Sequence, residues 1–231
     1  MKITFKTFIA EASEFDIEKF MSDCAPFLNA MKGARNLAYR GIQKPVKNWD
    51  ILSPRKDRKP LDSDEFAHVE MNKFFKETFG WPARSEGLFV TGSVSTAAGY
   101  GVTHAVFPIG TFKILWSADM RDPTAAINWE IRRKDDPDMM PDYKPDTSTP
   151  TAAERYRLLR QESIEEFIGK MKDFNWETNP NSLIPGLKLD VEIMIKCDKY
   201  YAFPILNSEV LRTIVTPRLI KDGILKVRQL R

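Results

Sequence analysis

Short strand-like runs, each cut off by glycine, proline or a polar turn, limit what this chain can fold into. No strand–helix–strand series carrying GxGxxG occurs, which argues against a doubly wound parallel fold and for the α+β class. Helical patterns come first and again in the middle, with the short strands between them. Ser13 is placed to cap a helix over 14–31, with Glu14 and Asp16 in its first turn and Gly33 beyond it. A second helix runs from residues 62–64 to Phe79 and stops at Gly80. A third covers 152–173 behind Thr151 and Glu154.

The strands expected are 36–42, 88–91, 104–108, 112–117, 190–196 and 200–204. Ile109-Gly110-Thr111 reads as a hairpin turn, and 190–196 with 200–204 as a pair around Cys197-Asp198-Lys199. Residues 219–230 read as a further pair around Asp222-Gly223, and 179–187 as loop. The stretch 134–150, with Pro137, Pro141, Pro145 and Pro150 among five aspartates, reads as an exposed mobile loop. The chain is taken as one domain over 1–231, with a helical N-terminal part over 1–35 and an insertion at 134–180.

Composition narrows the function. The chain has 231 residues, 42% of them hydrophobic with 15 Phe and 5 Trp, enough for a sizeable core. Lys and Arg number 35 against 32 Asp and Glu, too small an excess to argue nucleic-acid binding. Cys24 and Cys197 stand far apart without a CxxC, which fits a reducing compartment. With only His68 and His104 added, the residues argue against a metal site. No apolar run reaches the ~18 residues of a membrane span, and Met1–Lys6 lacks the apolar core of a secretory signal. A soluble, cytoplasmic protein with no membrane partner is the expectation.

Three segments carry candidate chemistry. Leu37-Ala38-Tyr39-Arg40-Gly41 ends a strand on a guanidinium, whose fork suits phosphate, beside a glycine that admits close approach to the backbone. Phe89-Val90-Thr91-Gly92-Ser93 ends a strand on hydroxyls suited to placing a carboxylate, and Tyr100 follows with a ring that can stack. Asp190-Val191-Glu192 opens an apolar strand, with Asp190 and Glu192 on one face if the strand has begun by 190. Taken singly, the three read as a surface arginine, a helix cap and a solvated strand face.

Taken in order, they resemble the arginine–serine–glutamate signature of the mono-ADP-ribosyltransferases over roughly residues 36–205. Thr91 and Gly92 stand where that signature has serine and threonine, Ser93 matches its last serine, and Asp190 is one methylene shorter than a glutamate. The insertion accounts for the long gap between Ser93 and Glu192. The resemblance implies a split β core with N-terminal and inserted helices. It implies NAD as substrate, with no metal, and a macromolecular acceptor such as a host protein. Arg40, Gly41, Thr91, Ser93 and Tyr100 would bind NAD, with Tyr100 near nicotinamide. Glu192 would stabilise the charged ribose, Ser93 would hold Glu192, and Asp190 would face the acceptor.

Ile9-Ala10-Glu11-Ala12 also resembles a prohead-protease cleavage site of tailed phages, which implies a protein packaged in the virion and delivered to the host cytoplasm. Two alternatives stay open. One is a catalytically inactive relative serving as a virion or binding module. The other is a nucleic-acid-binding protein using the basic stretch Lys44–Lys59 and the C-terminal Lys221, Lys226, Arg228 and Arg231.

Overall fold

The computed structural model describes residues 15–44, 46–56, 65–120, 126, 127, 129, 134 and 148–226. The chain divides into two compact units, one formed by Met1–Arg55, Gly87–Ala118 and Trp176–Arg231, the other by Lys56–Glu86 and Asp119–Asn175. The cleavage-site-like segment at Ile9–Ala12, together with Arg58, Lys59, Arg228 and Arg231, lies outside the described residues. So does the proline–aspartate stretch, apart from Lys134 and 148–150.

In chain order the elements are α1 (Ile17–Asp23), α2 (Ala25–Ala30), β1 (Tyr39–Ile42), β2 (Asp50–Leu52), α3 (Glu65–Phe79) and α4 (Ala83–Glu86). Then come β3 (Leu88–Val90), α5 (Val94–Ala98), β4 (Val102–Pro108), β5 (Lys113–Ser117), α6 (Pro150–Met171) and β6 (Trp176–Glu177). The last are α7 (Leu183–Leu189), β7 (Ile193–Lys196), β8 (Tyr200–Pro204) and α8 (Thr216–Lys221). The class is α+β, with two antiparallel four-stranded sheets ordered β1-β4-β8-β2 and β3-β7-β5-β6. No described helix is long and apolar enough to cross a membrane.

The helix expected over 14–31 is two helices. Asp16 rather than Ser13 caps α1, accepting from Lys19 N at 2.9 Å. Pro26 has no N–H for the next helical bond, so the chain breaks at Cys24 and restarts as α2. Both helices lay aromatic side chains on the first sheet. Phe20 meets Phe107, Tyr201 and Phe203 with ring centroids 5.1, 5.2 and 5.9 Å apart, all near edge-to-face.

Both expected hairpins are instead crossings between sheets. β4 pairs with β1 and β8, whereas β5 pairs with β7 and β6. Likewise β7 pairs with β3 and β5, and β8 with β4 and β2. The two crossings run side by side, Ile109 N donating to Lys199 O at 2.9 Å. Burial explains the choice. Nearly every residue of β4, β5, β7 and β8 is buried, so each strand needs cover on both faces. A hairpin open to water on one side cannot supply it.

Two other expectations fail for local reasons. Residues 183–189 form a helix, because Pro185 lies in the first turn, where its missing N–H costs nothing. Where a strand pair was expected over 219–230, residues 219–221 are the end of α8, which follows a one-turn π segment, Leu211–Val215, and 227–230 lie outside the described residues. Of that pair only a single bridge, Ala34 to Leu225, has strand character among the described residues.

In the second unit α3 is tied to α4 through Ser85, whose hydroxyl meets His68 Nε2 at 3.1 Å and Asn72 Nδ2 at 2.8 Å. On α6, Thr149 rather than Thr151 is the cap, accepting from Ala152 N at 3.1 Å. Hydrogen bonds from Lys134 and Lys170 hold the Glu166 carboxyl down to about 2.

Phe20 is 0% exposed. Phe20→Ala should cost about 3–5 kcal/mol. Urea unfolding checks this, and a loss below about 1 kcal/mol would mean that the N-terminal helices are not part of the cooperative core.

Candidate functional site

The two sheets of the first unit meet at an isolated antiparallel bridge between Tyr39 and Thr91. Tyr39 N donates to Thr91 O at 2.8 Å, and Thr91 N to Tyr39 O at 2.9 Å. Across this bridge the strand order runs β6-β5-β7-β3, then β1-β4-β8-β2. Past Tyr39 the β1 backbone no longer pairs with β3. The next residue, Arg40, spans the gap with its side chain, Nη1 donating to Phe89 O at 3.3 Å. A split between two sheets, bridged by a guanidinium, is the feature around which the candidate residues gather.

Arg40 is half-buried and makes no ion pair among the described residues. Burial pulls its guanidinium below the ordinary arginine range, opposed chiefly by Tyr200, then by Glu192 and Cys197. Those groups are therefore within electrostatic reach of it. The Cys197 thiol is pushed up to about 12 by burial, with Asp198 adding and Arg40 opposing, so it stays protonated at neutral pH.

Glu192 lies one residue before β7, and continuing the β3–β7 register by one step sets it against Thr91. It is half-buried between Val191 and Ile193, which are 1% and 0% exposed. Arg40, Thr91 and Glu192 are thus brought to one place, at the split.

The hydroxyls are arranged differently from the expectation. Ser93 is the N-cap of α5, its Oγ accepting from Thr96 N at 3.1 Å and lying 3.0 Å from Thr96 Oγ1 and 2.9 Å from Ser95 Oγ. The acid that the hydroxyls hold is Asp190. Thr91 Oγ1 donates to its Oδ1 at 2.5 Å and Thr96 Oγ1 to its Oδ2 at 3.1 Å. Asp190 does not share a strand face with Glu192. It ends α7 in the left-handed region, at φ 55°, a conformation aspartate adopts more readily than most residues.

Two glycines of the motifs are explained by protein contacts. A Cβ on Gly41 would lie 2.3 Å from Ala97 O and 2.8 Å from Tyr100 Cβ, so the end of α5 occupies that space. A Cβ on Gly92 would lie 1.9 Å from Leu187 O. Position 92 therefore admits no side chain, because α7 presses against it. The Tyr100 ring is 59% exposed beside this site.

Thr96 and His104 are the residues that sequence reasoning missed. Thr96 had a usable signal, since it lies three residues after the Ser93 cap. His104 had none, because its place opposite Arg40 depends on the β1–β4 register. His104 is fully buried, with Nδ1 donating to Val102 O at 2.7 Å and Nε2 without a hydrogen-bond partner among the described residues. Burial holds its pKa below the ordinary value against the opposing Val102 carbonyl. Among the described residues no three His, Cys, Asp or Glu side chains are grouped to hold a metal ion.

No family model, curated protein or solved structure matches the chain.

Two predictions follow from this packing. Gly92→Ala should destabilise by about 1–3 kcal/mol through overpacking, read as a lower midpoint in urea. An unchanged midpoint would show that α7 can move away from Gly92. His104 binds its proton more weakly when folded than when unfolded, so its neutral form adds stability above pH ~6.5, lost as pH falls below that toward the depressed folded value. His104→Asn keeps an N–H for Val102 O and does not titrate. The stability difference between pH 7.5 and 5.5 should shrink in this variant, and an equal difference in both proteins would contradict the assignment.

Proposed function

We propose that the protein transfers ADP-ribose from NAD to a macromolecular acceptor, releasing nicotinamide. The observation that carries this reading is the split itself. A half-buried guanidinium without an ion pair among the described residues stands at a gap between two sheets, with Glu192 in its electrostatic reach and Thr91 beside it. A partly desolvated cation at a gap suits an anionic ligand, and the guanidinium fork suits a diphosphate. The ordered resemblance of the three segments selects NAD from among such ligands. Arg40 uses one N–H on Phe89 O and retains others for phosphate or ribose.

The reaction breaks the bond between C1′ of the ribose and the nicotinamide nitrogen. The electron pair leaves with nicotinamide, which becomes neutral, and positive charge develops on the ribose. Glu192 stabilises that charge. An acceptor nucleophile then bonds to C1′ and gives up its proton, and water in its place yields free ADP-ribose. The largely exposed Tyr100 would pack on the nicotinamide. A host-cell protein is the acceptor in the phage setting that Ile9–Ala12 implies.

Purified protein incubated with NAD labelled in the adenylate half and a host lysate tests the reading. Label on macromolecules, with nicotinamide release, is the expected result. A folded protein that releases no nicotinamide would favour an inactive relative, and salt-sensitive retention on nucleic acid would favour a nucleic-acid-binding protein.

The roles of the two charged residues separate kinetically. Glu192 meets charge that develops only in the transition state, so Glu192→Gln should lower kcat for nicotinamide release by about a hundredfold or more. Arg40 meets the same groups before and during reaction, so Arg40→Ala should raise KM for NAD more than it lowers kcat. Near-normal turnover by folded Glu192→Gln would sink the mechanism.

A further inference from the structure

Thr91 is 7% exposed, and its polar groups are all engaged. Its backbone N–H and carbonyl pair with Tyr39 of β1. Its hydroxyl donates to Asp190 at the end of α7 and accepts from Ser93 N at 3.2 Å, at the start of α5. Asp190 in turn takes the Thr96 hydroxyl of α5 on its second oxygen. Four elements of the first unit, β1, β3, α5 and α7, are tied here, β1 through backbone bonds and the others through the side chains of Thr91, Thr96 and Asp190. The acid is tied by the charge-assisted bonds that are stronger than neutral ones.

The consequence falls on Glu192. The chain between Asp190 and β7 is only two residues long. Val191 is buried, and Ile193 is paired to Val90. With Asp190 fastened at one end and Ile193 at the other, Glu192 cannot shift along the split. Without its bonds to Thr91 and Thr96, the Asp190 end of this link would be anchored by backbone alone, and Glu192 would gain freedom to move.

We infer that Asp190 and Thr91 form a clasp that positions Glu192, and that Asp190 is a positioning residue rather than the group that takes a proton from the acceptor. This rests on the transferase reading. Both carboxylate oxygens already accept threonine hydroxyls, and the residue sits in backbone geometry that serves the turn. Charge is not needed for such a clasp. An asparagine tolerates the left-handed region and can bond both hydroxyls, since a hydroxyl donates or accepts as required.

The test uses Asp190→Gly, which suits the left-handed backbone and removes the clasp, Asp190→Asn, which rebuilds it without charge, Thr91→Val and Thr91→Ser. Nicotinamide release is measured without acceptor, and label transfer with a host lysate. Thr91→Val and Asp190→Gly should each lower kcat for release about tenfold to a hundredfold, with KM for NAD within about twofold of the parent. Thr91→Ser and Asp190→Asn should recover most of that loss in release and in transfer alike. Loss of transfer by Asp190→Asn with release intact would overturn the inference and make Asp190 the acceptor-facing group. So would an unchanged kcat in Thr91→Val.

If the parent protein releases no nicotinamide, the transferase reading has failed, and thermal unfolding still decides the clasp. Thr91→Val and Asp190→Gly together should then lower Tm by clearly less than the sum of their separate shifts, because each removes the same bond. Additive shifts would overturn the clasp as well.

Discussion

Two backbone hydrogen bonds between Tyr39 and Thr91 are the constraint on which the rest of the first unit depends. They bring β1 and β3 together at one residue pair, beyond which the strands part. An unpaired strand edge buried in protein must find other partners for its polar groups. Here the Arg40 side chain takes the Phe89 carbonyl that a continued ladder would have used. The split is thus stabilised by the residue best able to bind an anion in it. Removing Arg40 therefore affects both the gap and whatever enters it, so its effects on folding and on binding need separate readouts.

Close approaches of helices to this seam fix the remaining geometry. The end of α5 packs on Gly41 and the end of α7 on Gly92, each at distances that exclude a side chain. Gly186 lets α7 lie against Ile193 and Trp116, where a Cβ would meet the Ile193 Cδ1 at 2.9 Å. Small residues here serve contact between protein elements, and the hydroxyls of Thr91 and Thr96 close the same junction onto Asp190. Hydrogen bonds between residues distant in sequence and close packing together hold this junction.

Arg40, Thr91 and Glu192 were legible as site candidates because each ends or opens a strand in a recognisable order, and the structure gathers them at the split. The arrangement among the hydroxyls was not legible. Whether Ser93 or Thr91 meets an acid, and whether that acid is Asp190 or Glu192, depends on a left-handed turn at 190 and on the N-cap of α5. Neither leaves a pattern in the spacing of apolar residues. His104 was hidden for a similar reason. Only the pairing of β1 with β4 sets it across from Arg40.

The sequence by itself determined the class and the approximate places of the main strands and helices; the stop at Cys24 that Pro26 imposes is equally local, but the helical spacing over 14–31 concealed it. These are local effects of period, capping and breakers, acting over a few residues. Only the tertiary structure decided that the turns at Ile109–Thr111 and Cys197–Lys199 cross between sheets rather than close hairpins. It alone decided that the sheets split at Tyr39–Thr91. Each of those outcomes turns on which partner covers a doubly buried strand. That choice is settled by burial summed over contacts distant in sequence, which no local pattern encodes.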